Sequence, residues 1–163
     1  RMQNIRLKGL FIFLLIISII ALDLYTKFVV SGDNNTIIVS SFIKLHTINN
    51  YGIAFSLFDG LQDGGRLVLS IVILIVLIFA AYELYKNLRS SINYILGLSL
   101  VLGGGVGNFI DRFDNGSVTD FIILHYENIY FPAVFNIADL SISIGAIFII
   151  FHLVGISRGS SQI

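Results

Sequence analysis

Four apolar stretches divide this sequence, and each is long enough to cross a lipid bilayer. They run from about Leu10 to Val30, Leu67 to Tyr85, Ile92 to Ile110 and Ile137 to Ile156. A membrane-spanning helix needs roughly 20 apolar residues, because the hydrocarbon core is about 30 Å thick. Only 12% of the 163 residues are charged, against about a quarter in soluble domains. The sequence therefore predicts a mainly α-helical membrane protein, a single domain over residues 1–163 with four transmembrane helices.

The basic residues predict which side of the membrane each connection occupies. Six of them flank the two ends of the chain or the connection between the second and third stretches: Arg1, Arg6, Lys8, Lys86, Arg89 and Arg158. Four fall on the other side: Lys27, Lys44, Arg66 and Arg112. Because cytoplasmic segments are enriched in Lys and Arg, we expect both termini in the cytoplasm. The long connections, about residues 31–66 and 111–136, are then expected outside.

The first apolar stretch differs from a cleaved signal peptide. It is long, has no small-x-small cleavage site and contains Asp23 and Lys27 in its outer third. We therefore expect it to remain as a transmembrane helix, and we interpret Arg1 as an addition before the initiator Met2. The acid-before-base spacing of Asp23 and Lys27 favours an ion pair. Since ionisable residues in a membrane face the bundle interior, the pair either only stabilises helix packing or supports a functional site.

Both outer connections contain segments typical of β-strands. Thr36 to Ile48 is rich in β-branched residues, and the Asn115-Gly116 turn dipeptide precedes two further segments, Ser117 to Tyr126 and Ile129 to Val134. The sequence predicts that these segments form a small extracytoplasmic β-sheet on the outer membrane surface.

A turn and an apolar segment follow the first predicted strand. Asn49 to Gly52 has the composition of a turn, and Asn50 is either a turn residue or a substrate-binding residue. Residues 53–61 are apolar but too short to span a membrane. We expect them to form a short amphipathic segment that acts as a lid.

Two aspartates lie in unexpectedly apolar surroundings. Asp120 shares one face of its predicted strand with Val118 and Ile122, because side chains alternate along a strand. Asp139 begins the fourth apolar stretch, and with Asn136 it also fits a helix-capping box. A carboxylate among apolar groups is costly unless it is paired, hydrogen-bonded or protonated. We interpret Asp120 and Asp139 as a catalytic pair, with a simple cap as the alternative for Asp139.

Polar residues are grouped at the end of the third apolar stretch. Asp111 needs a partner from another segment, because an acid at a helix C-terminus opposes the helix dipole. The guanidinium of Arg112 can bind carbonyl or carboxylate groups, and Asn108 lies one turn earlier. The three line an outward-facing pocket if the helix continues. Gly103 and Gly107 have the small-xxx-small spacing that allows close helix packing. The three consecutive glycines 103–105 also leave backbone uncovered, which suits a polar cavity, and both interpretations can hold together.

The paired carboxylates indicate a type of chemistry. Two carboxylates within hydrogen-bonding reach share one proton, so that the ionised group can accept a proton from water while the protonated group polarises a carbonyl. Serine–histidine catalysis is disfavoured because His46, His125 and His152 are scattered along the chain. Metal-binding motifs and cysteines are absent from the sequence, so we expect no metal and no cofactor. Zero net charge without a basic run argues against nucleic-acid binding.

Five short motifs follow one another along the chain. They are Asp23-Leu-Tyr-Thr-Lys27, Asn50-Tyr-Gly-Ile-Ala-Phe55, Gly104-Gly-Val-Gly-Asn108 with Asp111-Arg112, Val118-Thr-Asp120-Phe121, and Phe135-Asn136-Ile-Ala-Asp139. Together and in this order they resemble the lipoprotein signal peptidases, also called signal peptidase II. That family consists of four-helix aspartyl peptidases of the bacterial cytoplasmic membrane. The resemblance covers essentially the whole chain.

The resemblance implies roles for these residues. Asp120 and Asp139 match the catalytic pair. Positions that line the site and bind substrate are matched by Asn50, Gly52, Asn108, Arg112 and Asn136. Supporting positions are matched by Asp23, Lys27 and Asp111. The implied substrates are prolipoproteins whose lipobox cysteine carries diacylglycerol, cut on the N-terminal side of that cysteine, and the implied inhibitor is the cyclic peptide globomycin.

The resemblance also implies a location in the bacterial plasma membrane, in contact with lipid, with the active site at the outer face; we expect a monomer. A non-enzymatic alternative is a four-helix transporter or assembly factor in which aspartates carry protons or pair with cations. That alternative predicts carboxylates near the middle of the membrane, whereas Asp120 and Asp139 are expected at its outer edge.

Overall fold

The computed structural model describes residues 2–32, 36–52 and 63–160. Within these ranges it contains four long helices and four strands. The helices are α1 Met2–Ser31, α2 Asp63–Lys86, α3 Ile92–Asn115 and α4 Ile137–Ser160, and the strands are β1 Ile37–Ile38, β2 Ile43–Asn50, β3 Val118–Tyr126 and β4 Ile129–Phe135. The predicted fold class, four membrane-spanning helices with a small sheet, is confirmed. The predicted lid, residues 53–61, lies outside the described residues.

All four described helices are long and apolar enough to cross a membrane. Large apolar side chains such as Phe11, Ile78 and Phe151 are exposed on their outer faces, which suits a lipid solvent. Half of the apolar stretch of α3 is buried, compared with 17% of that of each other helix. The chain is therefore a multi-pass membrane protein in which α3 is central and packs against α1, α2 and α4.

Glycines on α3 permit this central position. A Cβ atom added at Gly103 would lie 2.9 Å from Cβ of Ile19, and one added at Gly107 would lie 2.7 Å from Oδ2 of Asp23. Both glycines therefore face α1, as the small-xxx-small spacing predicts. Gly105 lines the cavity described below, and a Cβ atom added there would lie 2.5 Å from Cδ2 of Leu77 on α2, so one glycine serves both the cavity and close packing.

The four strands form an antiparallel sheet in the order β1-β2-β3-β4. In the pairing of β2 with β3, Ile48 lies opposite Asp120 and Asn50 lies opposite Val118. The prediction of a turn over residues 49–52 was wrong at its start, because Asn49 and Asn50 still belong to β2. Pairing with β3 overrides the turn preference of asparagine, and it brings Asn50 close to Asp120.

The third helix extends further than the hydropathy indicates. It ends at Asn115 rather than near Ile110, so Asp111 and Arg112 are helical. Gly116 adopts a left-handed conformation, with φ of 71°, and its N–H donates to the carbonyl of Arg112. The Asn115-Gly116 pair therefore ends a helix instead of forming the turn that the dipeptide predicts, because glycine adopts the left-handed conformation required in both places.

Candidate active site

A cavity of about 540 Å³ lies where the sheet meets α3 and α4. Its polar lining comes from four elements and comprises Asn50, Asn108, Arg112, Asp120, Asp139 and Ser143. The rest of its wall is largely apolar and includes Phe131, Val134, Phe135, Leu140 and Ile142. The structure thus brings the two predicted carboxylates into one apolar cavity, although they are 19 residues apart in sequence.

Asp120 is buried on β3, with 3% of its surface exposed. Two amides donate to its carboxylate: Nδ2 of Asn50 to Oδ2 at 2.9 Å, and Nδ2 of Asn136 to Oδ1 at 2.7 Å. Its pKa is raised from 3.8 to about 6, chiefly by burial; the hydrogen bond from Asn50 opposes this shift and the charge of Asp139 reinforces it. A raised pKa suits a group that exchanges protons near neutral pH.

Asp139 occupies the first turn of α4 and both caps the helix and faces the cavity. Its Oδ2 accepts the Asn136 N–H at 3.3 Å, and Asn136 Oδ1 accepts the Asp139 N–H at 2.8 Å. This is the reciprocal capping box that the sequence indicates. Its other oxygen, Oδ1, accepts from Nδ2 of Asn108 at 2.8 Å. Capping therefore fixes the carboxylate without removing it from the cavity.

Asn136 connects the two carboxylates. Its fully buried side chain donates from Nδ2 to Asp120 and approaches Oδ1 of Asn108 at 3.1 Å, while its Oδ1 caps Asp139. One side chain thus contacts both members of the predicted pair. A substitution here would disturb both carboxylates at once.

Lys27 lies behind the cavity, among groups from two helices. Its ammonium is 2.8 Å from Asp23 Oδ2 and 3.4 Å from Asp111 Oδ2. It also donates to Oδ1 of Asn108 at 2.9 Å, and Asn108 in turn donates to Asp139. The predicted Asp23–Lys27 pair therefore exists and is also connected through one amide to the cavity.

Asp111 and Arg112 point to different partners, as expected for adjacent helical residues. Asp111 Oδ2 accepts the backbone N–H of Thr119 at 2.6 Å, which ties α3 to the start of β3. Arg112 is 7% exposed, and its guanidinium donates to the carbonyl of Gly52. Asp111 thus finds the partner from another segment that the sequence requires.

Two features of the site are not evident from the sequence. Thr119 contacts Asp111 through its backbone N–H, a group that every residue but proline has. The apolar part of the cavity lining comes from β4 and α4. In the sequence, its residues cannot be told from apolar residues that face lipid. No sequence signal distinguishes either feature, because both depend on which segments meet in space.

The three histidines take no part in lining this cavity. His46 Nδ1 lies 3.3 Å from Thr36 Oγ1, and His152 Nδ1 lies 2.8 Å from Ser91 Oγ. His125 stacks on Tyr130 with ring centroids 5.7 Å apart. Each histidine therefore serves a local contact away from the two carboxylates.

Comparison with known proteins identifies the family. The sequence model of the family described as signal peptidase (SPase) II matches residues 15–155. The chain belongs to the signal peptidase II family. It is 37% identical over 142 residues to the lipoprotein signal peptidase of Wigglesworthia glossinidia brevipalpis, covering 85% of this chain and 91% of that protein. It is also 37% identical over 143 residues to the lipoprotein signal peptidase of Francisella tularensis subsp. novicida (strain U112), covering 85% and 88%.

Two solved structures of bacterial membrane enzymes share this fold. One, described as a bacterial membrane enzyme determined in meso at 1.9 Å resolution, superposes with a TM-score of 0.76 at 29% identity and covers 87% of this chain and 91% of that one. A second, at 2.3 Å resolution, gives a TM-score of 0.73 at 28% identity, covering 91% and 90%. The resemblance stated from the five motifs is confirmed, and the chain is a membrane peptidase by family.

Proposed function

We propose that this signal peptidase II family member is an aspartic endopeptidase that removes signal peptides from diacylglyceryl-modified prolipoproteins, cutting on the N-terminal side of the lipidated cysteine. The observation that carries the proposal is the presence of Asp120 and Asp139 in one largely apolar cavity. The relatives named lipoprotein signal peptidase support the substrate class.

The proposed reaction uses one shared proton and one water. The ionised carboxylate of the pair accepts a proton from water, and the water oxygen attacks the scissile carbonyl carbon. The protonated carboxyl donates a hydrogen bond to the carbonyl oxygen as negative charge develops there. The tetrahedral intermediate then collapses, the C–N bond breaks, and the leaving nitrogen takes up a proton from the pair. No covalent enzyme intermediate forms.

The residues around the pair have proposed roles in binding. Asn50, Asn108 and Asn136 hold the carboxylates with amide donors, and Asn50 and Asn108 also line the cavity where substrate would bind. Arg112 lines the cavity and holds the carbonyl of Gly52, so Gly52 fixes the guanidinium from behind the cavity wall. We expect the substrate peptide to lie along the polar residues that line the cavity, with its lipid chains against the apolar lining residues from β4 and α4.

Asp23, Lys27 and Asp111 are proposed as supporting residues. Lys27 lies within 3.4 Å of both acids, and it donates a hydrogen bond to Asn108, which in turn donates to Asp139. They therefore hold helices α1 and α3 in the arrangement that the carboxylates need, without touching substrate.

The proposed location is a bacterial plasma membrane, with cytoplasmic termini and the site at the outer face. A membrane-anchored substrate would then deliver its scissile bond at a constant depth. Asp139 is the third residue of α4, and Asp120 lies outside the helices, so neither is near a helix centre as a transporter would require. We also expect a monomer that needs no cofactor, binds no nucleic acid and is blocked by globomycin.

The test is cleavage of a diacylglyceryl-modified prolipoprotein by purified protein in detergent. Asp120→Asn and Asp139→Asn are each expected to lower kcat by at least about 100-fold. The matched control is Asp114→Asn, because Asp114 is an exposed acid at the end of α3. This variant should cleave the substrate as fast as the parent does. If Asp120→Asn or Asp139→Asn retained cleavage, the substituted aspartate would be a cap or packing residue and not a catalytic one. An inactive parent that binds globomycin poorly would favour the transporter alternative.

A further inference from the structure

A cation–π contact joins α2 to the residue that follows β2. The guanidinium carbon of Arg66, near the start of α2, lies 4.4 Å from the centroid of the Tyr51 ring. Helix α2 packs mainly against α3, so this contact gives it a second point of attachment, on the sheet side. Neither Tyr51 nor Arg66 lines the cavity that contains the carboxylates.

Tyr51 nevertheless lies between two residues of the candidate site. On one side, Asn50 donates to Asp120 at 2.9 Å. On the other side, the carbonyl of Gly52 accepts from Arg112. Three consecutive residues are thus held by three different elements, β3, α2 and α3.

The side-chain amide of Asn50 is oriented by the same stretch. The N–H of Gly52 donates to Asn50 Oδ1 at 3.0 Å, which leaves Nδ2 to face Asp120. An amide rotated by half a turn would present an oxygen to the carboxylate, and two acceptors cannot bond. The hydrogen bond from Asn50 to Asp120 therefore depends on the position of Gly52. The position of Gly52 depends in turn on the contact that holds Tyr51, the residue before it.

We propose that Tyr51 and Arg66 form a positioning pair that holds the stretch from Asn50 to Gly52, so that Asn50 keeps its hydrogen bond to Asp120. The proposal rests on the proposed peptidase function. The pair touches neither the substrate nor the carboxylates; it acts through Asn50. Losing it lets the stretch move and weakens a bond that favours the ionised form of Asp120.

Charged residues other than Arg66 surround Asp120. The charged residues that face the site are Lys27 from α1, Arg112 from α3 and Asp139 from α4. Tyr51→Leu and Arg66→Gln replace none of these three residues. A change in the titration of Asp120 in a Tyr51 variant would therefore report on the hydrogen bond from Asn50.

The experiment is a double-mutant cycle on full-length protein in detergent, with prolipoprotein cleavage as the assay. Tyr51→Leu and Arg66→Gln are each expected to lower kcat about tenfold with KM nearly unchanged, and the double variant should lose no more than either single one. Tyr51→Phe keeps the aromatic face and should recover most of the activity. The matched control is Lys86→Gln, because Lys86 makes a similar contact, 5.8 Å from the Tyr82 ring, at the opposite end of α2.

A second measurement needs no turnover. Infrared titration of the Asp120 carboxyl, identified by its loss in Asp120→Asn, should show a higher midpoint in Tyr51→Leu than in the parent and no change in Lys86→Gln. Single losses that multiply in the double variant, or an unchanged midpoint in Tyr51→Leu, would overturn the positioning role. If the parent fails to cleave, the proposed function fails, and the infrared midpoint alone decides the role of the pair.

Discussion

Asp23 Oδ1 accepts the backbone N–H of Ala138 at 2.8 Å, although the two residues are 115 positions apart in the chain. Asp23 is fully buried in α1, and Ala138 belongs to the first turn of α4. A carboxylate from one helix thus binds one of the unpaired N–H groups at the start of another, where negative charge is favourable. Because Asp139 is the next residue, this contact fixes the position of one member of the proposed catalytic pair.

Replacing Asp23 tests this relationship. Asp23→Ala removes the acceptor for Ala138 and leaves Lys27 buried without its nearest counter-charge, so we expect a loss of about 3–5 kcal/mol in the free energy of unfolding. Asp23→Asn keeps an acceptor for the N–H and should fall between Asp23→Ala and the parent. Unfolding in detergent–denaturant mixtures measures both values. Equal stability of Asp23→Ala and the parent would show that neither contact matters.

Gly104 tests the close contact between α3 and α4. A Cβ atom at this position would collide with the backbone carbonyl of Ala138 and lie 2.9 Å from Cγ1 of Ile142. Because backbone cannot move without shifting α4, we expect Gly104→Ala to cost about 1–3 kcal/mol of stability and to lower kcat. Gly155→Ala is the matched control, since Gly155 lies on α4 with open space around it. Thermal unfolding and prolipoprotein cleavage measure the two effects, and equal behaviour of the two variants would contradict the argument.

Asp111 tests the connection between α3 and the sheet. Asp111→Ala removes the acceptor of the Thr119 N–H and one counter-charge of Lys27, and we expect it to cost about 2 kcal/mol. Since Thr119 directly precedes Asp120, kcat should fall as well. The control is Asn115→Ala, which loses only its own side-chain bond to Asp111. A loss as large in Asn115→Ala as in Asp111→Ala would assign the effect to the end of the helix instead.

The pKa of Asp120 predicts how stability depends on pH. Its folded value of about 6 lies above the unfolded value of 3.8, so the folded state binds the proton more tightly. The contribution of this group to stability is therefore fully present below pH 3.8 and is lost as pH rises through about 6. Unfolding of the parent and of Asp120→Asn should be compared between pH 4 and pH 7. We expect the variant to lack the decline due to this group; parallel curves would contradict the raised pKa.

Much of the fold and of the candidate site could be predicted from local sequence patterns. The lengths of the apolar stretches indicated four membrane helices, because bilayer thickness sets a minimum length that is read directly from the chain. The acid-before-base spacing indicated the Asp23–Lys27 pair, and the Asn136–Asp139 spacing indicated the capping box. The five motifs together indicated the signal peptidase II family. These features depend on neighbours within a few residues, so the sequence alone determined them.

Only the tertiary structure decided how these segments combine. Asn50 has the local character of a turn residue, but pairing of β2 with β3 places it in a strand beside Asp120. Asp139 both caps α4 and lines the cavity, because Oδ2 accepts the capping N–H of Asn136 while Oδ1 accepts from Asn108. The contacts of Asp23 with Ala138 and of Arg66 with Tyr51 join different segments. No local pattern encodes them, since each partner comes from a distant part of the chain and is chosen by how the helices and the sheet pack together.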